Sequence, residues 1–320
     1  MDHADTGAPA IEAVDVTKKF GKVTALDGVS IGVPQGSVLG LLGHNGAGKT
    51  TLVNILTTMF APTSGSARVA GFDVRRQGEQ VRKRIGLTGQ YASVDEDMTG
   101  LQNLVMIARL LGANRAQARR RAEELLEVFD IAHAGRRKVS TYSGGMRRRL
   151  DLGAGLVGRP EVVFLDEPTT GLDPASRTAM WEIVQGLVHD GTTLLLTTQY
   201  LEEADRLADW ITVLSRGKVV ATGTSAELKA EIGQRTITAR LDDPDMSGVA
   251  VEAIRRLGLS PAYEADRHAL VISGIGSKDL ARVVRALDDE HVELAELTLT
   301  EPTLDEVYLA VTDEPPATAA

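Results

Sequence analysis

One stretch decides the fold of this chain, Gly43-His44-Asn45-Gly46-Ala47-Gly48-Lys49-Thr50, with Thr51 directly after it. It fits the pattern G-x-x-x-x-G-K-[ST], in which backbone N–H groups surround phosphate oxygens when a strand precedes the loop and a helix follows it. The apolar run from Val38 to Leu42 predicts that strand, and apolar residues from Leu52 to Met59 recur at helical spacing. The alternative is a glycine turn that matches by chance, but the flanking strand and helix favour a phosphate-binding loop.

The residue types in this loop suit phosphate chemistry. Gly43, Gly46 and Gly48 allow left-handed backbone angles and a close approach of the backbone to phosphate oxygens. A helix that begins near Lys49 adds partial positive charge at its N-terminus. The Lys49 side chain can reach the β- and γ-phosphates of a nucleotide, and the Thr50 hydroxyl can bind Mg²⁺. The whole loop is therefore a candidate set of nucleotide contacts.

Composition excludes several other classes of site. The 320 residues include no cysteine, which rules out disulfides, thiol catalysis and cysteine-bound metals. The net charge of −9 argues against a protein that binds nucleic acid through bulk charge. No apolar run approaches the roughly 18 residues that a membrane span requires, and residues 1–10 are unlike a signal peptide. We expect a cytosolic protein without a nucleic-acid partner or a membrane span, so any role at a membrane requires a partner.

Two carboxylates end a second apolar strand, which is predicted from Val162 to Leu165. An acid at the carboxyl end of a buried parallel strand lies where ligands bind in open α/β sheets. We expect Asp166 to hold Mg²⁺ through water, and Glu167 to act as general base toward the attacking water. An acidic turn is the alternative, which the phosphate loop in the same chain makes the weaker interpretation.

A Ser-Gly-Gly turn, Ser143-Gly144-Gly145, opens another predicted helix. Such a turn can form a second anion-binding nest. One nucleotide does not need two nests from one chain, whereas two facing chains would use both. An ordinary helix-initiating loop is the alternative. The arginines that follow, Arg147 to Arg149, are interpreted as a solvated helix face rather than as ligands.

The pattern of apolar and turn-forming residues divides the chain into segments. Residues 1–10 and 313–320 are predicted to be disordered tails, and residues 11–224 to form one nucleotide-binding domain, mostly helical at about 93–158. Residues 225–312 read as β-α-β-α-β, with an additional strand suggested near Tyr263. That order favours a small α+β domain of the ferredoxin-like type.

The motifs together resemble the nucleotide-binding subunit of an ABC transporter, over roughly residues 11–225. The resemblance implies an α/β P-loop NTPase core of the ABC ATPase kind, with an N-terminal antiparallel β subdomain, a helical subdomain and here the extra C-terminal α+β domain. It also implies that Gln90 is the Q-loop glutamine, which contacts Mg²⁺ and water, and that Asp173 belongs to the D-loop. Phe20 occupies the place of the aromatic residue that stacks on adenine, which is usually tyrosine.

Two motifs, the signature and the switch, depart from the family pattern. Tyr142 and Met146 replace the usual leucine and glutamine of the signature, and Gln199 stands where the switch histidine is expected. The intact Lys49 and Glu167 still predict an active ATPase. The blocks 142–149, 197–205 and 302–309 are similar to the ATP-binding proteins of daunorubicin/doxorubicin-resistance type exporters.

This resemblance implies an ATPase that powers the export of amphiphilic drugs, antibiotics or lipids through a separate integral-membrane permease of the ABC-2 type. The subunit is expected at the cytoplasmic face of the membrane, as a homodimer that binds ATP between Lys49's loop and Ser143's turn. The segment from Tyr91 to Asn103 is expected to face the permease, with a plain surface loop as the alternative. A soluble ABC ATPase of translation or repair and a regulatory nucleotide-binding module are the competing hypotheses. The single motif set, the lack of a long heptad run and the presence of Glu167 argue against them.

Overall fold

The computed structural model describes residues 8–89, 94–232, 235–275, 277–300 and 302–312. The chain divides into two compact units between Thr224 and Ser225. Gln90, predicted to contact Mg²⁺ and water, lies outside the described residues, as does Tyr91 at the start of the segment expected to face a permease.

The first unit begins with antiparallel strands and continues with alternating strands and helices. In chain order its elements are β1 (Ile11–Phe20), β2 (Val23–Val33), β3 (Val38–Leu42), α1 (Lys49–Leu56), β4 (Ser64–Val69), β5 (Phe72–Asp73), α2 (Gly78–Arg82), β6 (Ile85–Thr88), α3 (Gly100–Leu110), α4 (Arg115–Val128), α5 (Gly144–Gly155), β7 (Val162–Asp166), α6 (Pro174–His189), β8 (Thr193–Thr198), α7 (Leu201–Leu207), β9 (Trp210–Ser215) and β10 (Lys218–Gly223).

Two sheets organise this unit. A four-stranded sheet has the order β2-β1-β4-β5, and a six-stranded sheet has the order β10-β9-β3-β8-β7-β6. In the larger sheet β9, β3, β8, β7 and β6 run parallel, and β10 pairs antiparallel with β9. The small sheet is antiparallel throughout. This is the mixed α/β architecture that the sequence predicted.

The central strands are buried on both faces of the larger sheet. Every residue of β3, β7 and β8 is buried, which explains why they read as continuous apolar runs rather than as alternating patterns. Successive side chains point to opposite faces. Val163 and Leu165 join the core cluster that contains the residues of α3 to α6, whereas Val162 and Phe164 join the cluster that contains α1 and β1.

The strand order brings three functional segments to one edge. Because β8 lies between β3 and β7, the carboxyl ends of three neighbouring parallel strands meet there. The phosphate loop follows β3, Glu167 follows β7, and Gln199 follows β8. In register, Thr197 pairs with Leu41 on one side and with Asp166 on the other. This is the edge at which open α/β sheets bind ligands.

Polar residues start the helices between β6 and β7. Thr99 and Gln102 form a capping box at α3, and Asn114 and Gln117 form another at α4. Ser143 caps α5, because its hydroxyl accepts a hydrogen bond from a backbone N–H of the first turn. Each such cap satisfies a donor that a helix start leaves unpaired, and typically stabilises the helix by about 1 kcal/mol.

The second unit is a helix-covered antiparallel sheet. Its elements are α8 (Ser225–Ile232), β11 (Arg235–Leu241), α9 (Ser247–Arg256), β12 (Pro261–Glu264), β13 (Ala269–Ile275), α10 (Ser277–Asp289), β14 (Leu294–Thr300) and α11 (Leu304–Thr312). The strand order β12-β13-β11-β14 and the β-α-β-β-α-β sequence are those of a ferredoxin-like fold. Strand β12 contains Tyr263. The core of the second unit includes Ile237, Ile254, Leu270 and Val283. Across the described residues of both units, none of the helices has the length and apolar character needed to cross a membrane.

Candidate active site

A cavity of about 790 Å³ opens at the carboxyl edge of the larger sheet. Its volume lies within the range of roughly 300–1,000 Å³ that is typical of small-molecule sites. Its lining comes from Ala25 of β2, the phosphate loop, the first two turns of α5 (including Arg148 and Asp151) and the residues after β7 and β8. Of the predicted site residues it brings together His44, Asn45, Gly46, Gly48, Lys49, Thr50, Thr51, Gly144, Glu167 and Gln199.

The phosphate loop depends on glycine at two close contacts. Gly48 precedes α1 with φ of +111°, and a Cβ atom there would lie 2.8 Å from the Ala25 carbonyl oxygen. A Cβ atom at Gly43 would lie 2.5 Å from the Leu214 carbonyl oxygen. No side chain caps the start of α1, so its first backbone N–H groups remain available to an anion.

Lys49 is a buried cation held by the loop and by Glu167. Its side chain is 4% exposed, and its Nζ donates to the carbonyl oxygens of Gly43 at 2.5 Å and His44 at 3.3 Å. The Nζ also lies 3.6 Å from Glu167 Oε1. Burial lowers the pKa of Lys49, and the nearby carboxylates of Glu167 and Asp166 oppose that shift. A phosphate group bound in the cavity would add negative charge next to the Lys49 ammonium and so further stabilise its charged form.

Asp166 is bonded from two sides by threonine hydroxyls. Its Oδ2 accepts from Thr50 Oγ1 at 3.2 Å, and its Oδ1 accepts from Thr197 Oγ1 at 2.5 Å. Hydroxyl and carboxylate oxygens are the ligands that Mg²⁺ prefers. Within the part of the chain that the structure describes, no cluster of three or more His, Cys, Asp or Glu residues is placed to hold a metal ion. A magnesium ion here would therefore take most of its ligands from phosphate and water, as Mg²⁺ usually does.

Glu167 has a strained backbone beside these groups. Its φ of +50° lies in the left-handed region, which costs a non-glycine residue about 1–3 kcal/mol and persists only where neighbours enforce it. Its N–H donates to the Thr197 carbonyl oxygen and hydroxyl, both at 3.1 Å, and its Oε2 accepts from Thr170 Oγ1 at 3.4 Å. Sequence reasoning missed Thr197 and Thr170, although both flank the strand ends where the carboxylates were found.

The Ser143-Gly144-Gly145 turn, called the signature turn below, is open to solvent. Ser143 and Gly144 are exposed, and Ser143 Oγ accepts from a backbone N–H of its own helix at 3.2 Å. A Cβ atom at Gly145 would lie 2.7 Å from Ser176 Oγ. The same hydroxyl donates to Asp173 at 2.6 Å, so the signature turn and the D-loop aspartate meet at Ser176. Gly144 lines the cavity, whereas Ser143, Gly145 and Asp173 are not part of its lining.

Comparison with known proteins decides the family. The family model described as ABC transporter matches residues 26–170. The chain is 50% identical to the daunorubicin resistance ATP-binding protein DrrA3 of Streptomyces coeruleorubidus, with 97% of each chain covered. It is 47% identical to the daunorubicin/doxorubicin resistance ATP-binding protein DrrA of Streptomyces peucetius, covering 96% of this chain and 93% of that one. The chain belongs to this family of ABC-transporter ATP-binding proteins.

Solved structures agree with the family. The cbiO1 protein of Clostridium perfringens, part of the ABC transporter complex cbiONQ, matches with a TM-score of 0.65 and 25% identity, over 70% of this chain and 92% of that one. An ATP-binding cassette of an ABC transporter in its ADP conformation matches with a TM-score of 0.63 and 27% identity, over 68% of this chain and 92% of that one. As a family member, the protein is an ATP-binding and ATP-hydrolysing subunit of an ABC transporter.

The residues that depart from the ABC pattern have clear positions. Gln199 is half-buried and lines the cavity. Tyr142 is buried, and its hydroxyl donates to the Ala134 carbonyl oxygen at 2.8 Å, so it anchors the residue before the signature turn. Phe20 is 45% exposed, lies outside the cavity lining and packs edge-on against Phe60 at 5.7 Å.

The interpretation of the arginine run as a solvated face was wrong. Arg147 makes an ion pair with Glu96 at 2.8 Å, and Arg149 lies 3.5 Å from Asp130. Arg148 is the strongest exception, because its side chain is only 13% exposed and donates to backbone carbonyl groups after β6 and β7. A guanidinium group has five N–H donors, so it can be buried where carbonyl oxygens converge. That convergence comes from the fold and has no signal in the sequence.

Proposed function

We propose that this chain powers the export of amphiphilic drugs, antibiotics or lipids through a separate permease of the ABC-2 type, as a homodimer at the cytoplasmic face of the membrane. The names of its relatives support this. The two Streptomyces relatives are daunorubicin-resistance proteins, and a relative from Bacillus subtilis that is 32% identical is a linearmycin resistance ATP-binding protein. Since these names refer to different compounds, they fit a subunit that supplies energy while the permease selects the cargo.

The observation that carries the proposal is an incomplete site. Lys49, Thr50 and Glu167 lie together in the cavity, whereas Ser143 lies exposed outside its lining. The Ser143 hydroxyl accepts a bond in its own helix and keeps its O–H available as a donor. In a two-chain arrangement, the γ-phosphate bound by one copy's loop would meet the other copy's Ser143 turn. ATP would then favour the closed dimer, because its γ-phosphate makes contacts to both halves.

Each residue has a role in this proposal. Lys49 would bind the β- and γ-phosphates. Thr50 and Asp166 would hold Mg²⁺, which would supply positive charge that offsets the charge of the phosphates. Glu167 accepts a proton from the attacking water, and Gln199 donates to the γ-phosphate.

The remaining predicted residues keep the roles that the family resemblance implies. By the family resemblance, Gln90 would contact Mg²⁺ and the water, and Phe20 would stack on adenine. Asp173 would act as the D-loop residue of the nucleotide site, where it accepts a hydrogen bond from the Ser176 hydroxyl.

The experiment that tests the export proposal is reconstitution with the membrane partner. The chain is co-purified with an ABC-2 type permease, and ATPase turnover is measured while candidate amphiphiles are added. Stimulation of turnover by an amphiphile, absent when the permease is omitted, is the expected result. If turnover with the permease is insensitive to every drug and lipid tested while ATP is still hydrolysed, the export proposal is wrong and the ATPase assignment stands.

A further inference from the structure

The buried side chain of Arg148 joins α5, the signature helix that Ser143 caps, to the carboxyl ends of strands β6 and β7. Its Nε donates to the Pro168 carbonyl oxygen at 2.7 Å, and its Nη1 donates to the Gly89 carbonyl oxygen at 2.7 Å. Its Nη2 donates to the carbonyl oxygens of Asp166 at 3.2 Å and Glu167 at 3.0 Å. One guanidinium group therefore contacts the backbone after β6 and after β7 from α5.

The charge of Arg148 is balanced within its own helix. Asp151, one turn further along α5 and 1% exposed, lies 3.5 Å from Nη1. Burial lowers the pKa of Arg148, and the carboxylate of Asp151 is the first of several that oppose that shift. The planar fork of a guanidinium supplies donors in fixed directions, which a lysine ammonium cannot reproduce. The four backbone contacts thus depend on arginine rather than on positive charge alone.

These contacts hold the strained backbone of Glu167 from a second side. Its N–H donates to Thr197, on the neighbouring strand β8, whereas its carbonyl oxygen accepts from Arg148. A φ of +50° persists only where the surroundings enforce it. Without the Arg148 contact, the peptide after Glu167 would lose the side-chain donor from α5 that fixes it.

We propose that Arg148 is a positioning residue, which fixes the backbone of Glu167 and couples that carboxylate to the signature helix. The proposal rests on the role proposed above for Glu167 as general base. Ser143 caps the same helix. A shift of α5 on contact with the partner copy's nucleotide would therefore reach Glu167 through Arg148. Arg148 itself does not touch the reacting atoms in this scheme.

The test uses the full chain with Arg148→Lys, and Arg149→Lys as the matched control. Arg148→Lys keeps a cation beside Asp151 but removes the guanidinium fork. We expect kcat for ATP hydrolysis to fall about 10- to 100-fold, the cost of displacing a catalytic group by about 1 Å. KM for ATP should change little, because the phosphate loop is untouched. Arg149→Lys makes the same chemical change on the next residue, which faces exposed Asp130, and should keep kcat.

A second measurement distinguishes positioning from general damage. Single-turnover phosphate release is compared in Glu167→Gln with and without Arg148→Lys. If Arg148 acts through Glu167, the added substitution costs much less in this background than in the wild type. A full additive loss, an unchanged kcat, or a change in KM alone would overturn the proposal. If Arg148→Lys does not fold, Arg148→Gln combined with Asp151→Asn removes both buried charges and is judged by the same criteria. Near-normal turnover of Glu167→Gln alone would instead show that the proposed base is wrong.

Discussion

The helices α1 and α5 both begin at glycine-rich turns, but the two turns have opposite surroundings. Gly48 leads into α1 with a left-handed backbone, and Lys49 at its start is 4% exposed. Ser143 leads into α5 in an extended conformation, and both Ser143 and Gly144 are exposed. The α1 start has no side-chain cap and faces a cavity, whereas the α5 start is capped by its own serine.

This difference shows how one chain can carry two halves of a site. The α1 end presents its first backbone N–H groups and the buried Lys49 ammonium to the cavity, so it can bind phosphate within one chain. The α5 end satisfies its own backbone and remains exposed, so it is stable before a ligand arrives. An exposed, self-capped helix start with a free hydroxyl proton suits a ligand brought by a second chain.

The largest expected effect comes from removing Glu167, the proposed general base at the enclosed end. Glu167→Gln should bind ATP but lose about 10²–10⁴ in turnover, since the amide cannot accept the proton from water. The variant should also accumulate an ATP-bound dimer, which size-exclusion chromatography with light scattering detects. Near-normal phosphate release in this variant would remove Glu167 from the role.

The next effect concerns Gln199, the proposed hydrogen-bond donor to the γ-phosphate, which follows β8. Gln199→Ala should lower turnover by about 10²–10³, the usual cost of removing a preorganised donor to a developing charge. Gln199→His should retain activity and acquire a pH dependence near the imidazole pKa of about 6.5. Wild-type rates in Gln199→Ala would mean that Gln199 makes no catalytically important contact with the γ-phosphate and that hydrolysis depends on Glu167 alone.

Ser143 tests the open end directly. Ser143→Ala removes a donor to a charged phosphate, worth about 1.5–3 kcal/mol or roughly 10- to 150-fold in turnover, and also removes the helix cap. Ser143→Asp is the matched control, because aspartate caps helices well but would repel phosphate. Both variants should lose ATPase activity, while thermal denaturation should show a loss of stability in Ser143→Ala only. Retained activity in Ser143→Asp would show that the signature turn does not contact a phosphate group brought by a second chain.

A smaller effect is expected at the edge of the enclosed end. If Phe20 stacks on adenine, Phe20→Ala should weaken ATP binding about 5- to 150-fold, equivalent to roughly 1–3 kcal/mol, with little change in turnover at saturation. Fluorescent-nucleotide titration measures this, with Val23→Ala on the neighbouring strand as a control for an exposed apolar residue. Unchanged affinity would show that Phe20 only packs on Phe60.

The smallest effect is an expected absence of binding. With a net charge of −9, the chain alone should not bind anionic liposomes, because like charges repel, and it should sediment with membranes only alongside its permease. Stable co-sedimentation of the lone chain with protein-free liposomes would contradict a location that depends on the partner.

Local chemistry made much of this protein predictable. The phosphate loop follows from glycine spacing, the strand that ends at Leu42 from its apolar run, and the helix that begins at Lys49 from apolar periodicity; the strand predicted to end at Leu165 extends one residue further, to Asp166. These features depend on short-range rules, so the sequence by itself predicted the phosphate loop and determined the fold class. The departure at Gln199 was also visible, because it follows a recognisable strand.

Only the tertiary structure decided which distant groups meet at that site. Placing β8 between β3 and β7 brings Thr197 onto Asp166 and Glu167, and packing α5 over the strand ends buries Arg148. An arginine in a polar run has the same local pattern whether it meets water or converging carbonyl groups. Its environment is set by strand order and helix packing, which join residues far apart in the chain, and no periodicity records those contacts.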